Sequence, residues 1–133
     1  MPWFGRKKAP PIRSLICEGS VVQGQLRFVE GLRIDGEVIG DVLCEGDGHS
    51  LLVISENGRV HGKVKAGHVI ISGEVRGPVH AFELLELQPK ARVTGDVRYD
   101  LLEMHQGAIV EGELKPLKSI DKPALILAAS NDA

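Results

Sequence analysis

The side chains that could do chemistry are few and scattered. Five histidines occur: His49, His61, His68, His80 and His105. A zinc centre needs several N, O or S donors at about 2.0–2.3 Å from one ion, so imidazoles must converge on a point. Aligned by the repeat that the chain carries, His61 shares a column with Arg76, Thr94 and Glu111, while His80 shares one with Lys65 and Arg98. They do not stack together, and no metal centre is expected. Ser20, Ser50, Ser55 and Ser72 have no His–Asp set at a spacing that would activate a hydroxyl. The GDG around Asp47 signals a turn rather than a phosphate loop, because no GK[ST] follows. Glu37, Asp41, Glu74, Asp96, Glu111 and Glu113 alternate with apolar residues, which reads as a solvated strand face. Cys17 and Cys44 lack metal-type spacing and are expected to be two buried thiols of a cytosolic chain. No active site and no cofactor follow from this inventory, and the chain is not expected to be an enzyme.

What positions these residues is a repeat. Residues 101–114 (LLEMHQGAIVEGEL), 84–97 (LLELQPKARVTGDV) and 51–64 (LLVISENGRVHGKV) align over 14 residues, and residues 68–79 (HVIISGEVRGPV) form a shorter copy. Each ends in apolar-x-Gly-x-apolar, a motif also present at 22–26 and 38–42. The central glycines are Gly24, Gly40, Gly62, Gly77, Gly95 and Gly112, spaced by 16, 22, 15, 18 and 17 residues. The long interval contains GDGH, a small loop insertion.

Apolar–polar alternation puts successive side chains on opposite faces of a strand. Frequent glycine disfavours helix and marks bends in strands. The period near 17 therefore describes coils of a parallel β-helix, with Val38, Val42, Val64, Val75, Val79, Val93, Val97 and Val110 inside. Six coils at roughly 4.8 Å each make a rod on the order of 29 Å. An antiparallel sandwich also has short strands and frequent turns, but it does not require the same columns to recur. Hexapeptide-repeat acyltransferases are excluded because this period does not reduce to six.

Composition agrees. Hydrophobic residues make up 43% of the chain and aromatics only 4%, so the core is aliphatic. The net charge of −2 argues against a nucleic-acid footprint. Residues 1–17 carry +4 with no acid, and the remainder carries −6. No signal-peptide core and no apolar run of spanning length occur. Residues 1–14 form a proline-containing tail in which Trp3 and Phe4 stand beside Arg6, Lys7 and Lys8. Rings settle at the headgroup level of a bilayer and cations meet anionic lipid, so this tail is the candidate membrane-binding segment. The β-helix is expected over 15–115. Residues 116–133 leave the repeat and are expected to be mostly disordered. Phe28 and Phe82 are expected as corner or core fillers, Phe28 opening the second coil, and Tyr99 as an exposed corner residue.

A solenoid exposes unpaired backbone at both ends, and soluble monomers cap it. Neither tail offers an amphipathic capping helix. The ends are therefore expected to stack on other copies, through Ile16, Val22 and Leu26 of the first coil and Leu102, Met104, Ile109, Val110 and Leu114 of the last.

The recurring motifs IDGEVIGDV, IISGEVRGPV, KARVTGDV and GAIVEGEL resemble those of the bactofilins, bacterial polymer-forming cytoskeletal proteins. The likeness covers about 16–114. It implies an all-β, right-handed parallel β-helix between disordered tails. It also implies filaments formed without nucleotide through the end coils, and attachment to the inner face of the cytoplasmic membrane by the N-terminal segment. Implied partners are the chain itself, an anionic membrane surface and a cell-wall-modifying enzyme, with no nucleic acid. Implied roles are the organisation of cell-wall and cell-shape machinery. Family members often carry a phenylalanine in the last coil that supports polymer contacts; the position compared here is Val110. A non-polymerising adaptor for a cell-wall enzyme is the competing reading.

Overall fold

The computed structural model describes residues 10–46 and 49–117. Among them are fifteen strands and no helix. In chain order they are β1 (Ser14–Ile16), β2 (Val21–Gln23), β3 (Leu26–Phe28), β4 (Gly31–Ile34), β5 (Glu37–Ile39), β6 (Val42–Cys44), β7 (Leu51–Ile54), β8 (Arg59–His61), β9 (Val64–Ile71), β10 (Glu74–Arg76), β11 (Val79–Leu87), β12 (Arg92–Thr94), β13 (Val97–Met104), β14 (Ile109–Glu111) and β15 (Leu114–Pro116).

Every pairing is parallel and joins one coil to the next. Six coils result, each with three faces. The second face is a six-stranded sheet in the order β14-β12-β10-β8-β5-β2. The first and third faces merge into one sheet, because β9, β11 and β13 run through the corner between a third face and the following first face.

The register stacks like on like. Val38, Val60, Val75 and Val93 form one inward column. Val42, Val64, Val79 and Val97 form a second. Ile34, Ile54, Ile71 and Leu87 form a third. All of these are essentially fully buried. Branched side chains suit such columns because they pack on a pleated surface with little rotamer freedom left to lose.

The repeated glycines stack at the corner between the second and third faces. A Cβ on Gly77 would lie 2.2 Å from the Gly62 carbonyl oxygen, and φ there is +150°. The close approach and the backbone angle both require glycine.

Three expectations change. Phe28 closes the first coil instead of opening the second. It is buried opposite Cys44, and the chain then turns through Val29 and Glu30 before Gly31. Tyr99 is half-buried in β13, on the inward column of Ala81, because the strand continues through that corner. Burial raises its hydroxyl pKa. Cys17 is exposed and Cys44 half-buried, because Cys17 follows inward-facing Ile16 at the outer side of a corner. Phe82 sits at the register shift between Ala81 and Leu84, with its ring 4.7 Å from that of His80. Trp3, Phe4, Arg6, Lys7 and Lys8, the GDG turn at Asp47 and the segment after 117 lie outside the described residues.

Candidate assembly surfaces at the rod ends

The end coils are built like the others but lack one neighbour. Gly24, Gly40, Gly62, Gly77 and Gly95 each donate their N–H to a carbonyl of the next coil at 2.9 Å. Gly112 stands in the same column on the sixth coil, the last among the described residues. The carbonyls of Ser20, Gly36, Gly58, Gly73 and Ala91 each accept from the next coil, and Ala108 is their counterpart at the end. At the other end, the Val21 N–H corresponds to that of Glu37, which donates to Ser20 of the coil before it. Among the described residues nothing covers either edge.

The side chains follow the same logic. Ile16, Val22 and Leu26 close three aliphatic columns on the first coil, and Met104, Val110 and Leu114 close the same columns on the last. Ile16, Val22, Leu26, Leu102 and Val110 are half-buried and pack against the core. Met104 and Leu114 are 43% and 44% exposed. Ten large hydrophobic residues are exposed among those described, and six of them belong to the two end coils. Leu15, Val21 and Leu101 are among these and were not singled out from the sequence.

Val21 and Ile109 show what signal was available. They end an outward column whose inner members are Glu37, Arg59, Glu74 and Arg92. Charges alternate along the middle of the rod, and apolar side chains replace them at both ends. The pattern is readable only once the register is known. Burying Leu101, Met104, Ile109 and Leu114 against another copy would add roughly 1 kcal/mol each, about half of the value for a fully exposed aliphatic side chain.

Electrostatic contacts tie the last coil down. The Asp96 carboxylate accepts the Glu113 N–H at 3.0 Å and lies 3.4 Å from the Lys115 ammonium. That N–H and the lysine hold its pKa below the ordinary value. Asp41 accepts the Lys63 N–H at 2.9 Å at the equivalent corner between the second and third coils.

His61 and His80 keep to separate columns as expected, and His61 pairs with Glu37 at 2.9 Å. Burial and the neighbouring Lys65 and Arg98 lower the pKa of His80. The other histidines do not all stay apart: His68 and His105 both face Glu86, at 3.7 and 3.9 Å. Sequence columns missed this because the two histidines approach diagonally from the coils on either side. Burial lowers the His68 pKa, opposed by the charge of Glu86.

Comparison with known proteins matches the repeat region. The family model for bactofilins, described as polymer-forming cytoskeletal, matches residues 14–115. Bactofilin BacO of Myxococcus xanthus is 26% identical over 111 residues, covering 84% of this chain and 85% of the relative. Bactofilin BacP of the same organism is 29% identical over 94 residues, covering 71% of this chain but only 38% of that protein. No solved structure matches significantly. With its repeat matched from the first coil to the last, the chain belongs to the bactofilin family, a family of polymer-forming cytoskeletal proteins.

Proposed function

We propose that this chain assembles end to end, through its first and last coils, into filaments that need no nucleotide. The observation that carries the reading is the pair of uncovered rod ends, each with open backbone groups and the aliphatic cross-section of the core. Stacking another copy there pairs those groups and removes apolar surface from water. Ile16, Val22, Leu26, Leu102, Met104, Ile109, Val110 and Leu114 form the contact. The filaments lie on the inner face of the cytoplasmic membrane, held by Trp3, Phe4, Arg6, Lys7 and Lys8. There they organise cell-wall or cell-shape machinery, with a cell-wall-modifying enzyme as client.

Val110→Arg tests the assembly step. An unpaired charge in a stacked apolar interface is costly, yet Val110 is only half-buried on the last coil, so the variant should fold. The expected result is a wild-type circular-dichroism spectrum with loss of pelleting and of filaments in negative stain. A folded Val110→Arg protein that still pellets as filaments removes the last coil from the interface. Deleting residues 2–8 tests the membrane step. Sedimentation with anionic liposomes should drop sharply, since each cation near such a surface contributes about 1 kcal/mol. Undiminished binding places the membrane contact elsewhere.

A further inference from the structure

We propose that Glu86, Glu103 and His105, flanked by His68, form a binding site for a divalent transition-metal ion of the zinc class. Glu86 lies on the fifth coil, with Glu103 directly opposite it on the sixth. Like charges opposed on neighbouring strands repel. Among the described residues no lysine or arginine comes within ion-pair distance of either carboxylate; their ionic neighbours are histidines. One donor atom from each of Glu86, Glu103 and His105 can be chosen so that all lie within 4.8 Å of one another. The His105 Nε2 is 3.3 Å from Glu103 and 3.9 Å from Glu86, and the His68 Nε2 is 3.7 Å from Glu86.

These separations suit a shared ion. Tetrahedral donors at about 2.0–2.1 Å from zinc lie roughly 3.4 Å from one another. The histidine nitrogens supply a second sign. Nε2 of both His68 and His105 is shielded from solvent and makes no well-formed hydrogen bond, its nearest polar neighbours being the same Glu86 and Glu103 oxygens. Such an atom ordinarily costs stability unless something engages its lone pair or proton. Gln88 donates its amide to the Glu86 carboxylate at 2.5 Å, the kind of outer contact that orients a metal-ligating carboxylate. Imidazole among the donors favours zinc, nickel or cobalt over magnesium or calcium. The ion would bridge the fifth and sixth coils, and so would pin the coil that forms one rod end.

The test uses the full chain carrying Cys17→Ser and Cys44→Ser, which removes competing thiolates. Equilibrium dialysis against zinc chloride at micromolar concentration should give one ion bound per chain, and cobalt(II) should give the visible absorption of a low-symmetry, four-coordinate site. Glu86→Gln combined with His105→Ala should weaken zinc at least about tenfold and abolish the zinc-dependent rise in melting temperature. His61→Ala, remote from the site, should retain both. Absence of stoichiometric uptake, uptake unchanged in the double variant, or equal loss in His61→Ala overturns the assignment.

Discussion

Replacing a corner glycine by alanine distinguishes two requirements that the sequence merges. Gly77 and Gly24 occupy the same column, both with positive φ, +150° and +116°. Their surroundings differ. At Gly77 an added Cβ would meet the Gly62 carbonyl oxygen at 2.2 Å, whereas at Gly24 nothing lies within 4 Å, because among the described residues no coil precedes the first. Both variants bear the cost of a backbone angle that L-residues avoid, about 1–3 kcal/mol. Gly77→Ala must also push the fourth coil away from the third by roughly 1 Å to restore ordinary contact. That movement stretches the bonds from Gly62 N–H to the Arg76 carbonyl and from Val64 N–H to the Pro78 carbonyl, both now 2.9 Å. Two weakened hydrogen bonds add about 1–3 kcal/mol. Urea unfolding followed by circular dichroism, with the variants run in parallel, should place Gly77→Ala below Gly24→Ala by that difference. A thermal melt should show a gap of about 4 °C or more. Equal destabilisation of the two would mean that close stacking of the corners is not what excludes a side chain there.

Two further outcomes are expected. Val97 is fully buried in the fifth coil, and a carboxylate there has no partner, so Val97→Asp should lose at least about 3 kcal/mol and unfold or nearly unfold the domain; a wild-type melting curve would show the inside–outside register to be wrong. Asp96 titrates below its ordinary value near 3.8, through the Glu113 N–H and Lys115; a lowered carboxylate pKa contributes stability above the unfolded value and loses it as pH falls through the folded one. The stability gap between wild type and Asp96→Ala should thus be open at pH 7 and close below pH 3.8, and a gap independent of pH would remove the charge from the account.

The inward columns were legible because each rests on one residue type at a nearly fixed spacing, and burial of valine, isoleucine and leucine is insensitive to detail. The corners were legible for the same reason, since only glycine tolerates the approach of one coil to the next. What escaped the sequence was geometry at an angle to the columns. His68 and His105 share no column with Glu86, yet side chains lean along the strand and reach diagonal neighbours. Tyr99 and Phe28 escaped because coil boundaries depend on whether a strand runs through a corner, which β13 does and β3 does not. Cys17 escaped because a hydrophobic residue type does not fix a side at a turn. The residues placed in the N-terminal tail lie outside the described structure, and their role rests on aromatic–basic adjacency alone.

A repeat whose coils hold one another through backbone ladders and aliphatic columns already contains the chemistry of its own assembly, because the contact inside the rod and the contact between rods can use the same groups. The outward residues then decide whether copies are accepted. In the middle of the rod, Glu37, Arg59, Glu74 and Arg92 alternate in sign, so each stands in register with an opposite charge on an adjacent coil. An end residue has a fixed neighbour on its inner side only, and a charge there would repel a like charge on a stacked copy. Val21 and Ile109 stand at those positions, 55% and 42% exposed. Apolar termini can stack on either end of another copy without repulsion and without leaving an unpaired charge buried. Both positions lie outside the core, so under the proposed end-to-end stacking a charge at either should block assembly without unfolding the coil.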